Sequence, residues 1–141
     1  MSNERQGTRE QRLLRGIHEG LEKTPLSDCK KAKGRAQSLP MMIQRHGPAQ
    51  TLLFLESKDN REDLELATIF RAALKVAEPG LAERLPAKHP KDPRDLKTYL
   101  DADLTQRLHL TLCCTELANL LMRTLKVMCP NPDRQGVTNE P

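Results

Sequence analysis

Apolar residues recur along this chain at helical spacing. Leu13, Leu14, Ile17 and Leu21 mark one face of a first helix, predicted from about Asn3 to Lys23 and ended by Thr24-Pro25. A second helix is predicted from Ser27 or Asp28, either a good cap, with Ala32, Ala36, Leu39 and Ile43 on one stripe facing the core. Pro40 lies inside that segment, where a missing N–H predicts a kink. Gly47-Pro48 predicts a break. Glycine can close one helix or cap the next, and a first-turn proline gives up only an N–H that has no partner within the helix. With Pro48 as the first helical position, Gln50 is the third and can return to the cap's N–H as half of a capping box. This third helix runs to Ser57, with Leu52 and Leu55 inward and Leu53 or Phe54 also needing cover.

Asp59-Asn60 offers the next cap, after which Leu64, Ala67, Ile69, Phe70, Ala73, Leu74 and Ala77 trace a fourth helix as far as Pro79-Gly80. Pro86, Pro90 and Pro93 then forbid a continuous helix and predict the longest internal loop. A short helix over 94–100 follows, and Asp101 or Asp103 caps a last one that runs to Met128. From Leu108 onward the last helix is apolar on more than one face, which requires burial on several sides and leaves surface for an interface. Beyond Cys129 the chain is too polar and proline-rich to order itself. The expected architecture is all-α, a compact bundle of about five to six helices in a single domain over residues 1–129, with a flexible polar tail over 130–141.

Composition supports that class. A length of 141 residues suits one core. The only aromatics are Tyr99, Phe54 and Phe70, with no Trp, as expected of an aliphatic helix bundle rather than a sheet. No stretch has the uncharged length needed to span a bilayer, and Met-Ser-Asn-Glu-Arg-Gln is not the start of a signal peptide, so a cytoplasmic protein with no membrane partner is expected. Cys29, Cys113, Cys114 and Cys129 contain no Cys-x-x-Cys pair, and disulfides are not expected.

The formal charge is +4, and residues 1–46 hold ten Lys/Arg against five Asp/Glu, so a polyanion would meet that third of the chain first. Arg5, Arg9 and Arg12 fall along one side of the first helix, a possible phosphate ridge whose plainer reading is a solvated face beside Glu4, Glu10 and Glu19. Lys30, Lys31, Lys33, Arg35 and Arg45 flank the apolar stripe of the second helix, where they can contact phosphates without disturbing the core or reading sequence. So few aromatics provide no platform for a sequence-reading single-strand binder.

Enzyme chemistry finds no foothold. There is no Gly-rich phosphate loop, His-Glu-x-x-His or Gly-x-Ser-x-Gly, and Asp92, Asp95, Asp101 and Asp103 read as caps and loop solubilisers. His109 and Cys113 have a spacing at which two ligands share a helix face, but two ligands do not make a metal site, and Cys113 and Cys114 read as small core residues. Neither metal nor cofactor is expected.

The run Leu39, Pro40, Ile43, Gln44, Gly47, Gln50, Thr51, Leu52, Phe54, Leu55, Ser57 and Lys58 resembles the signature of the small helical subunit of the type III-B CRISPR (Cmr) RNA-guided effector. The resemblance implies a non-catalytic subunit. Its copies stack beside one another along guide RNA and target RNA, between the other subunits of the complex. Most of the matching residues, among them Leu39, Pro40, Ile43, Gly47, Gln50, Thr51 and Phe54, have packing or capping duties, so the motif speaks to fold more than to function. Two other readings stand beside it. A helical DNA-binding regulator would need base-reading side chains where Pro48 to Ser57 is apolar. A free-standing helical adaptor or homo-oligomer would need no nucleic acid, and the apolar last helix fits it.

Overall fold

The computed structural model describes residues 7–57, 60–83, 85 and 104–128. Among these, every regular element is helical, as the spacing of apolar residues predicts. Helix α1, Arg9–Lys23, starts later than expected because Thr8 forms a reciprocal cap. Its hydroxyl accepts from the Gln11 N–H at 3.1 Å, and the Gln11 side-chain oxygen accepts from the Thr8 N–H at 3.1 Å. The part of the predicted first helix from Asn3, with Arg5, lies outside the described residues.

Helix α2, Cys29–Ser57, is capped by Asp28, whose carboxylate accepts from the Lys31 N–H at 3.1 Å. Its one non-helical residue is Gly47, at φ 85° and ψ 158°. The element is therefore two helices joined at a corner. That backbone region is essentially reserved for glycine, other residues incurring strain of about 1–3 kcal/mol. The break predicted at Gly47 is thus present, at a residue with no β-carbon to oppose it, while the dihedrals stay helical through Pro40. The predicted Gln50 capping box does not form. Such a box needs an extended cap residue, which Gly47 with its positive φ is not. Instead the Thr51 hydroxyl donates to the Gly47 carbonyl at 2.8 Å.

Helix α3, Arg61–Ala77, is capped by Asn60, which accepts from the Asp63 N–H at 3.2 Å. A single turn, α4, follows at Pro79–Ala82, and α5 spans Leu104–Met128. The predicted loop over 86–93, the helix over 94–100, the caps Asp101 and Asp103, and the tail over 130–141 lie outside the described residues.

The most extensive packing pairs α1 with α3 and α2 with α5, and α3 also meets α2 and α5. The α2 stripe of Ala32, Ala36, Leu39 and Ile43 is buried. It shares one core with Leu13, Ile17, Leu52, Leu55, Phe70, Leu117 and Leu121. Small residues set the α1–α3 distance: a β-carbon on Gly16 would lie 2.6 Å from the Ala73 Cα, and one on Gly20 would lie 3.2 Å from Ile69 Cγ2. One ion pair is sunk into this framework. The Glu56 carboxylate, 2% exposed, accepts from Arg71 Nε at 2.5 Å and Nη2 at 3.0 Å, tying the second half of α2 to α3.

Candidate nucleic-acid interface

The basic residues singled out in the sequence divide into two groups. On α1, Arg9 lies 3.9 Å from a Glu78 carboxylate oxygen and 3.6 Å from one of Glu116. Arg12 is drawn further in: its Nε donates to the Ala77 carbonyl at 3.0 Å, Nη1 to the Gly7 carbonyl at 2.9 Å and Nη2 to Glu78 at 2.9 Å. Arg12 thus meets the exposed carbonyl end of α3, where the helix dipole favours a cation. These two arginines join α1 to α3 and α5, so the phosphate ridge expected of them is largely consumed internally. The sequence could not reveal this, because Arg12 and Glu78 stand 66 positions apart.

The first half of α2 is different. Lys30, Lys31 and Arg45 are exposed, and Lys33 is half-buried. Lys30, Lys31 and Arg45 have no carboxylate within ion-pair distance among the described residues. Arg35 sits between these cations and the core. Its Nε donates to Asp63 Oδ1 at 3.0 Å, and its guanidinium lies 5.6 Å from the centre of the Phe54 ring, within cation–π range. The Asp63 side chain is 3% exposed, and its second oxygen has no hydrogen-bond partner among the described residues. Arg35 is therefore both part of the basic surface and the counter-charge of a buried carboxylate.

The remaining motif residues follow the corner in α2. Leu39 and Ile43 are core, Pro40 is half-buried and Thr51 is buried. Gln50 and Phe54 reach the surface, where they line a cleft with Met42, His46 and Thr51. Cys113 and Cys114 are buried in the core. Burial pushes the Cys113 thiol up to about 11, and Cys114 is raised well above the ordinary value first by burial and then by Cys113 beside it. His109 is exposed while Cys113 is buried, so their shared spacing does not present a pair of ligands. No described helix is long and apolar enough to cross a membrane.

What this surface defines is a helical protein with an aliphatic core and a helix face on which Lys30, Lys31 and Arg45 have no counter-charge among the described residues. The family model of the Cmr5 CRISPR-associated proteins matches residues 5–127, and the chain belongs to that family, a component of type III-B complexes. No curated protein and no solved structure matched the chain.

Proposed function

We propose that this chain is a non-catalytic small subunit of a cytoplasmic type III-B effector, and that the first half of α2 lies along the sugar-phosphate backbone of guide RNA and target RNA. The observation that carries this reading is the contrast between the helices. Arg9 and Arg12 of α1 are paired with Glu78 and Glu116, whereas Lys30, Lys31 and Arg45 on α2 face solvent without counter-charges among the described residues. Family membership supplies the RNA-guided setting. In this reading Lys33 adds to the positive field, Arg5 and Arg9 serve as peripheral contacts, and Arg12 chiefly holds the fold. Specificity is left to guide–target pairing, as in other RNA-guided effectors.

Contacts to other subunits and to neighbouring copies have their own surface. Leu108 and Leu112, one turn apart on α5, are 56% and 66% exposed, and Val127 and Met128 are exposed at its end. An adaptor without nucleic acid would use the same surface, so the cations of α2 are what separate the two readings.

The test is the triple variant Lys30→Glu, Lys31→Glu, Arg45→Glu, which spares the Arg35–Asp63 pair. Each phosphate contact contributes about 0.7–0.9 to the slope of log affinity against log salt, so the variant is expected to flatten that slope by about 2–3. An unchanged slope in an RNA-binding titration contradicts the assignment of contacts to α2.

A further inference from the structure

A pocket of about 370 Å³ lies where the first half of α2 meets the start of α3, lined by Lys31, Gly34 and Arg35 on one side and by Asn60, Glu62 and Asp63 on the other. Most of the acceptors around it are engaged. The Asn60 side chain accepts from the Asp63 N–H, the Glu62 carboxylate takes a long contact of 3.5 Å from the Ser27 hydroxyl, and Asp63 Oδ1 accepts from Arg35 Nε. Asp63 Oδ2 is the exception. The side chain is 3% exposed, yet this oxygen has no hydrogen-bond partner among the described residues. A buried carboxylate oxygen without a donor is costly, and a donor from outside the chain would remove that cost. Lys31 and Glu62, which line the same pocket, are long and at least partly exposed, so a rotamer change rather than a backbone movement admits such a group.

Charge narrows the choice of donor. Lys31 and Arg35 offset Glu62 and Asp63, so the side chains lining the pocket favour neither a metal ion nor a second ammonium at its floor. A neutral donor fits, and a hydroxyl is the smallest. At the pocket's edge Lys31 is exposed, with the exposed Lys30 beside it in the chain, and neither has a carboxylate within ion-pair distance among the described residues. They can hold an anionic group attached to that hydroxyl. Gly34 is exposed, and nothing lies within 4 Å of where its β-carbon would stand, so a ring can approach the α2 backbone there. A hydroxyl on a small ring next to a phosphate describes the ribose of RNA. We propose that Asp63 Oδ2 accepts a hydrogen bond from a 2′-hydroxyl of an RNA strand whose phosphates lie along Lys30 and Lys31. This rests on the nucleic-acid reading above and deepens it, because phosphate contacts do not tell RNA from DNA and the 2′-hydroxyl does.

The test titrates the full chain with twelve-nucleotide single strands of one sequence, made as RNA, as 2′-fluoro RNA and as DNA. The 2′-fluoro strand keeps the phosphates and the sugar pucker of RNA but has no 2′ hydrogen to donate. RNA is expected to bind about tenfold more tightly than the 2′-fluoro strand, with the same slope of log affinity against log salt, and DNA to bind no better than the 2′-fluoro strand. Asp63→Ala and Gly34→Leu, each verified as folded by circular dichroism, are expected to bring RNA down to the level of the 2′-fluoro strand. Gly34→Leu fills the pocket while leaving the Arg35–Asp63 pair in place, so the two variants remove the contact by different routes. Equal affinity of RNA and 2′-fluoro RNA for the parent chain, with steep salt dependence, overturns the 2′-hydroxyl contact and leaves the backbone reading standing. A preference for RNA that survives in both variants places the contact elsewhere and overturns the assignment to Asp63. Ribose 5-phosphate binding as tightly as the RNA strand makes a free sugar phosphate the occupant and overturns the proposal. Binding of none of the strands removes the backbone reading and this proposal with it.

Discussion

Replacing Arg71 with methionine is expected to cost about 3–5 kcal/mol, a large share of the stability of a domain this size. The reason lies in what remains. Glu56 is 2% exposed and both its oxygens accept from the Arg71 guanidinium, so the variant leaves a carboxylate with neither water nor a counter-ion. An exposed ion pair contributes only about 0–1 kcal/mol, and burial is what separates the two cases. Denaturant unfolding of Arg71→Met checks the loss, and the double variant Arg71→Met, Glu56→Leu checks its cause. Removing both charges is expected to restore most of the stability, because a buried pair exchanged for apolar side chains of similar size is often neutral or better. A single variant losing less than about 1 kcal/mol shows that the pair behaves as a surface one.

The second large effect sets two alanine substitutions against each other. A glycine in a helix interior costs about 1 kcal/mol relative to alanine, so Gly→Ala stabilises wherever there is room. At Gly34 there is room: nothing lies within 4 Å of the added carbon, and Gly34→Ala is expected to gain about 0.5–1 kcal/mol. At Gly16 the added carbon would stand 2.6 Å from the Ala73 Cα and 2.7 Å from its carbonyl oxygen. Both are backbone atoms that no rotamer change can move, so α1 and α3 must separate along their whole contact. Overpacking of this kind costs about 1–3 kcal/mol or more, which outweighs the propensity gain. Thermal melts are expected to move in opposite directions, up for Gly34→Ala and down for Gly16→Ala. A Gly16→Ala chain as stable as its parent contradicts the close approach of the two helices.

The sequence was most legible where structure is local. The stripe through Ala32 and Ile43, the Asp28 and Asn60 caps and the end of the last helix at Met128 all follow from residues within a few positions of one another. The Thr8–Gln11 box was also within reach, since Thr-Arg-Glu-Gln is its pattern, although the predicted helix was started upstream of it, near Asn3. Pro40 and Gly47 were both visible as interruptions. Only positive φ at the glycine decides which of them turns the chain. What could not be read was tertiary. The pairing of Arg12 with Glu78 and of Arg35 with Asp63 joins residues far apart in the chain, and it determines which cations face solvent. Gly16 and Gly20, four residues apart, carry a faint local signal of close helix packing whose partner only the fold reveals.

We propose that α2 holds RNA within a larger ribonucleoprotein. The most direct measurement is affinity purification of the tagged chain and of the Lys30→Glu, Lys31→Glu, Arg45→Glu variant from the native host. Bound RNA is sequenced and accompanying proteins are identified. The parent chain is expected to bring down short repeat-tagged guide RNAs together with large effector subunits, and the variant to lose the RNA at lower salt. A parent chain recovered without RNA would contradict it.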